Sequence, residues 1–180
     1  MAQPQLVPVS DLDAALAPSG GYDAVVAVGP KGAFDELDSI ATILIRAAAI
    51  DAKASDGVHL HAAPELAGGR LIHSGTGPLN RDQDDVRCFG DAAGAALARA
   101  RDAGAKRPLL LVAGVPDDDI YAHAGAVSLL GALSALWAPL EAREALGDDV
   151  VEPITVNVAC SVNGGSEVVV ERVAGECVQL

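Results

Sequence analysis

Aromatic residues are nearly missing from this 180-residue chain: two Phe, two Tyr and one Trp make up 3% of it, against 51% hydrophobic residues overall. Its core is therefore expected to be built from Ala, Val, Leu and Ile, which pack through many small contacts and favour close approach of helices to each other and to a sheet. Cysteine is scarce too. Cys88, Cys160 and Cys177 are odd in number, far apart and without a CxxC pair. That argues against a disulfide framework or a zinc site and for free thiols in a reducing compartment. Positive charge is the third shortage: 12 Lys and Arg stand against 25 Asp and Glu, for a net charge of −13. Such a field repels nucleic-acid phosphates and anionic lipid, so neither nucleic acid nor a membrane is expected as a partner.

The N-terminal stretch "MAQPQLVPVSDLDAAL" has no basic segment followed by an apolar one, so no secretory leader is expected. Ala124–Leu140, "AGAVSLLGALSALWAPL", is uncharged, but it is at the short limit for a membrane span, contains Pro139 and lacks a basic flank. It is read as a helix buried against a sheet or another subunit. The length suits one domain over 1–180, with no internal repeat and no long linker.

Local pattern then divides the chain. Tyr22–Val28 reads as a strand closed by Gly29-Pro30. Phe34–Lys53 repeats apolar residues at Ile40, Ile43, Leu44, Ala47, Ala48 and Ala52, one face of a helix, with Asp38 or Ser39 as its cap. Val58–His61 and Arg70–His73 read as short strands, the second followed by a turn over Ser74–Pro78. From Asp82 the pattern is helical, with Val86, Phe89, Ala93, Ala96, Leu97 and Ala100 on one face and a stop at Gly104. "PLLLV" at Pro108–Val112 is a continuous apolar run, as for a strand covered on both sides. An Ala-rich helix is expected from Tyr121 to about Gly147. Ile154–Val162 and Glu167–Val173, joined by Asn163-Gly164, read as a hairpin. The sum is an α/β fold, a mixed sheet flanked by helices.

Candidate chemistry concentrates in "RLIHSGTGPLNRDQDDVRCFGDAA", Arg70–Ala93. Backbone amides around Ser74, Gly75, Thr76 and Gly77 could cradle a phosphate ahead of a helix. The run matches neither GxxxxGK[ST] nor GxGxxG, however, and its glycines are ordinary turn punctuation before Pro78. Asp82, Asp84 and Asp85 could offer oxygens to a hard cation, but the twelve-residue calcium loop is absent. The favoured reading is structural. Asp82 caps the helix, Asp84 and Asp85 favour its positive end, and Arg81 and Arg87 pair with these carboxylates to fix a strand–helix joint.

His59 and His61 would share one face of a strand without further ligands at metal spacing, while His73 and His123 stand singly. Cys88 reads as a buried, inert thiol. Asp117–Asp119 follows a strand and Pro116, where open α/β sheets place ligands, and reads rather as the solvated start of the next helix. No nucleophile, base and acid can be assembled.

Arg70–Pro116, ending in "KRPLLLVAGVP", resembles the N-terminal domain of the leucine (cytosol) aminopeptidase family, in particular an animal-type branch. "GALSALWAPLEAREAL" is similar to the helix that follows there, and the likeness covers about residues 20–147. The resemblance implies an α/β domain of macro-domain-like topology that helps build a hexamer. Its parent would be a cytoplasmic, metal-dependent exopeptidase with two divalent ions, zinc or manganese, in a separate catalytic domain. That domain's "NTDAEGR" signature is absent here, and the only lysines are Lys31, Lys53 and Lys106. No catalytic residue and no cofactor therefore carry over to this chain. The expectation is a non-catalytic assembly domain whose partners are its own catalytic domain and further copies of itself. The alternative is a macro-like module that binds ADP-ribose or another nucleotide.

Overall fold

The structure is a computed structural model that describes residues 7–9, 11–80, 82–137, 141, 144–145 and 157–159. Along the chain these form β1 (Val7–Pro8), α1 (Leu12–Leu16), β2 (Ala24–Gly29), α2 (Asp38–Ile50), β3 (Val58–Ala62) and β4 (Arg70–Gly75). They continue with α3 (Arg87–Asp102), β5 (Pro108–Val112), α4 (Ala124–Leu136) and β6 (Asn157–Ala159). The strands build a six-stranded mixed sheet in the order β1-β6-β5-β2-β4-β3. Every neighbouring pair is parallel except β3 with β4.

The two-residue period of the central strands sorts their side chains into two cores. Val26, Val28, Ile72, Leu110 and Val112 face α3, whose Phe89, Ala93, Ala96, Leu97 and Ala100 are buried on one side as the helical spacing predicts. Val25, Ala27, Leu71, Leu109 and Leu111 face the other way, onto α1 and α2 with Leu16, Phe34, Ile40 and Ile43. "PLLLV" is buried along its whole length, as a strand covered on both faces must be. The mixed α/β fold read from the sequence is the one observed.

Boundaries and partners differ in instructive ways. α2 starts behind Leu37 with no side-chain cap, so Asp38 and Ser39 do not cap it. β4 runs on through Ser74 and Gly75, which belong to the sheet and not to the turn. α4 ends at Leu136, ahead of Pro139, and Glu141, Glu144 and Ala145 are helical again beyond that break, so the helix expected to about Gly147 is interrupted rather than continuous. It packs chiefly on α3. Asp119–Leu136 is apolar and long enough to cross a membrane by length and composition, yet Leu129 and Ala132 are fully buried in the α3-side core. β6 lies between β1 and β5, parallel to both, so both of its edges are occupied at Asn157 and Val158. The turn Asn163-Gly164 and the strand expected at Glu167–Val173 lie outside the described residues. β1 and α1 had no counterpart in the sequence pattern. Asp11 caps α1 by accepting the Ala14 amide at 3.0 Å.

Candidate functional site

In a parallel sheet the carboxyl ends of the strands are where ligands settle, so the loops after β2, β4 and β5 come first. The β2 and β5 loops close on each other. A Cβ at Gly114 (φ +69°) would stand 2.6 Å from the Ala33 Cβ and 3.0 Å from the Pro30 ring, and a Cβ at Gly29 would stand 2.6 Å from the Ala113 carbonyl oxygen. The space between these strand ends is filled by backbone and methyl groups.

At the end of β4 the amides of Gly75 and Thr76 donate to the carbonyls of Gly57 and Gly29, at 3.0 and 3.3 Å. They serve the neighbouring chain, whereas Gly77 takes a left-handed φ of +81° in the turn. The Thr76 hydroxyl is buried and has no hydrogen-bond partner among the described residues. Among the described residues it is the only buried side-chain polar atom of the Ser74–Gly77 stretch without a partner.

The acidic run is occupied by its own turn. Asp84 accepts the Asn80 amide at 2.7 Å, and the Asn80 side chain accepts the Asp82 amide at 3.2 Å. Asp85 accepts the Arg87 amide at 2.9 Å and forms a two-pronged pair with its guanidinium, closest at 2.7 Å. Arg87's hydrogen bonds hold the Asp85 carboxyl below the usual range, and Asp85 raises Arg87 in turn. The helix cap is thus corrected. α3 begins behind Val86 without a side-chain cap, Asp82 lies well ahead of it, and Asp85 serves the first helical amide. Arg81 lies outside the described residues. Among the described residues no three His, Cys, Asp or Glu side chains converge as metal ligands.

The charges that tie strand to helix lie elsewhere and escaped the sequence reading. Arg70, at the start of β4, donates to the Asp23 carbonyl at 3.1 Å and to the Ala103 carbonyl at 2.5 Å, joining β2 to the end of α3. The Asp23 carboxylate accepts the amides of Lys106 and Arg107 at 2.6 and 2.9 Å. These partners are 33 to 84 residues apart, and no local spacing could have announced them.

Three histidines do come together. His59 and His61 share one face of β3, and His59 lies directly opposite His73 on β4. Cys88, read as a buried, inert thiol, is only half-buried. Its Sγ donates to the Asp85 carbonyl at 2.8 Å, and burial is the main cause that raises its pKa. It is a free thiol, while Cys160 and Cys177 lie outside the described residues. Asp118 accepts the Ile120 amide at 3.1 Å and caps the short turn Asp119–Tyr121, so Asp117–Asp119 does open the next helical segment.

A groove of about 670 Å³ runs along the seam of α3 and α4, open to solvent. Asp84, Asp85, Asp91, Cys88, Leu130 and Ser134 are on its walls, with Gly90 and Gly131 in its floor. Its thiol is unactivated and Asp85 is committed to Arg87, so the groove offers surface rather than a reacting group.

No family model matches the chain. It is 35% identical over 131 residues to a Caenorhabditis elegans protein named "Putative aminopeptidase". That match takes in 68% of this chain and 24% of the relative, so the chain spans about a quarter of the curated protein it resembles. Among solved structures, a tomato leucine aminopeptidase mutant superposes with a TM-score of 0.60 at 12% identity, over 98% of this chain and 36% of that one. An Oceanobacillus iheyensis macrodomain mutant superposes with a TM-score of 0.59 at 12% identity, over 97% of this chain and 93% of that one. At such identities the two structures establish the fold, which is that of macro domains and of part of a leucine aminopeptidase.

Proposed function

We propose that this chain is the non-catalytic, N-terminal assembly domain of a leucine-aminopeptidase-type metallo-exopeptidase of the cytoplasm, of the animal-type branch. The sequence likeness to the nematode protein carries the reading, because it joins this domain to a chain about four times the matched length. A two-metal hydrolase needs carboxylates converging on a metal pair. The described residues do not fit that group, so no step of peptide cleavage is derived through them. In this reading the two divalent metals, zinc or manganese, belong to the catalytic domain.

What such a domain contributes is surface. Ile45 and Ile50 on α2 are 67% and 89% exposed, and Leu130 and Trp137 at α4 are 51% and 69% exposed. Between Ser39 and Ile50 the only charge is Arg46, a break in the acidic surface where copies can meet with little repulsion. Sedimentation of the purified chain tests this: a mass above the 18.1 kDa monomer, returned to monomer by Ile45→Glu with Ile50→Glu, supports assembly up to the family's hexamer. A monomer at every concentration up to roughly 100 μM overturns it, since a working homo-oligomer contact is tighter than that by several-fold.

The second reading is a macro-like module for ADP-ribose or another nucleotide at Ser74–Gly77. The macrodomain superposition and the partnerless Thr76 hydroxyl at the carboxyl edge favour it. Heat on calorimetric titration with ADP-ribose, lost in Thr76→Val, supports it. No heat at millimolar ligand removes it.

A further inference from the structure

We propose that β3 is an acid-releasable edge strand: three imidazoles, His59, His61 and His73, hold it to β4 while neutral and drive it off when that face takes up protons. The proposal is independent of the parent enzyme and rests on the sheet.

Among the described residues β3 is bonded on one side only, in five antiparallel pairs from Val58 opposite Ser74 to Ala62 opposite Arg70. On its other edge β4 pairs in parallel with β2, from Leu71 opposite Val25 to Gly75 opposite Gly29. Removing β3 therefore breaks one ladder and leaves the centre of the sheet intact. What lies under β3 decides how easily it leaves.

His59 faces His73 directly across the ladder, and its ring stacks on that of His61 with centroids 6.2 Å apart and planes 26° from parallel. His73 is 2% exposed and meets the edge of Phe34 at 6.1 Å. Its Nδ1, and Nε2 of His61, are buried without a hydrogen-bond partner among the described residues. His59 donates through Nε2 to the Asp56 carbonyl at 2.8 Å, a contact local to the turn before β3.

Among the described residues no counter-charge reaches this face. Lys31, Asp35 and Glu36 flank Phe34; Asp51, Lys53 and Asp56 precede β3; Asp38 and Arg46 are on α2, and Glu65 follows β3. All are exposed. Burial, then His61, then His59 depress His73 from its ordinary 6.5 to about 4, while burial and His59 lower His61. The sole opposing contact is a hydrogen bond with the Ala54 backbone, on the segment leading into β3. When 51–62 lifts away, His73 loses that contact and both neighbouring imidazoles and regains water. With β3 released, His73 on β4 thus binds a proton that it refuses while β3 is docked, and acid favours release. The consequence is a bare β4 edge, a row of unpaired amides and carbonyls open to another strand.

Hydrogen exchange of the intact chain, resolved by peptide and corrected for the intrinsic effect of pH, tests this at pH 7.5 and 5.0. Linkage through His73 predicts that protection of 58–62 drops between these values, by up to about thirtyfold if release restores its ordinary value. It also predicts that 58–62 is less protected than 108–112 at both, with a weaker dependence on denaturant, the mark of an opening smaller than global unfolding. His73→Gln should remove the pH step. Should that buried variant fail to fold, His61→Gln should reduce the step. The proposal is overturned if 58–62 and 108–112 share one protection and one denaturant dependence, or if protection of 58–62 does not change with pH.

Discussion

Gly131 of α4 lies on the carbonyl of Gly90 of α3: a Cβ added to Gly131 would collide with that group, and one added to Gly94 would stand 3.0 Å from the Gly131 oxygen. The two helices touch backbone to backbone, as a core with so few aromatics permits. Arg101 of α3 fastens the far end of the crossing by donating to the Ala135 carbonyl at 3.0 Å. Gly131→Val should force the helices apart and lower stability by about 3 kcal/mol, the upper range for overpacking. Gly94→Ala should cost distinctly less. Equal midpoints for Gly131→Val and wild type in urea would show that the crossing yields freely.

Leu129 and Leu130 are neighbours in α4 with opposite fates, the first fully buried and the second 51% exposed. Leu129→Ala is expected to cost about 2–5 kcal/mol through a cavity. Leu130→Ala should be nearly neutral for folding, and a change there belongs to assembly. Leu129 is accordingly no probe of a subunit contact, because Leu129→Glu would unfold the domain whatever its partners.

The Asp23 carboxylate receives two amides from the turn before β5. Asp23→Ala leaves both donors without it and should cost about 2 kcal/mol. Asp23→Asn, which keeps one acceptor, should recover part of that. Thermal denaturation separates the two, and a neutral Asp23→Ala would mean that water replaces the carboxylate at no loss.

Asp85 and Arg87 pair at short distance but in solvent, with side chains 42% and 81% exposed. Screening by water and salt leaves little for such a pair to contribute. Asp85→Asn should leave the melting temperature where it is, in low salt and in 1 M salt alike. A drop as large as that of Asp23→Ala would restore the acidic run to the structural role that its sequence suggests.

Acid should weaken the whole domain through His73. Its value is about 4 in the fold and 6.5 when exposed, so between these the unfolded chain is protonated and the folded one is not. Stability from this group is complete above about pH 7, falls as pH drops through 6.5 towards 4, and levels below. Urea titrations at pH 7.5 and 5.0 should differ by about 2 kcal/mol. A difference near zero, or of opposite sign, contradicts the burial of His73.

Much of the architecture was legible because burial leaves a local period. Pro108–Val112 declared a strand covered on both faces, and Phe89 to Ala100 declared the inward face of α3, before any partner was known. Length cues misled where tertiary contact intervened: β4 extends through Gly75 because β2 pairs with it that far, and α4 stops short of Pro139. At the candidate site, Asp82, Asp84 and Asp85 caught attention as a dense charge run. Such density says nothing of direction, and the structure spends two of these carboxylates within their own turn.

By itself the sequence determined composition, the alternation of strands and helices, and which faces are apolar, since these depend on residues a few positions apart. Tertiary structure alone decided who meets whom. It put β3 antiparallel at the edge and so laid His59 against His73, slid β6 between β1 and β5, and brought Asp23 to Lys106. Periodicity encodes that a side chain leaves water, whereas the identity of its neighbour depends on how distant segments close around one core.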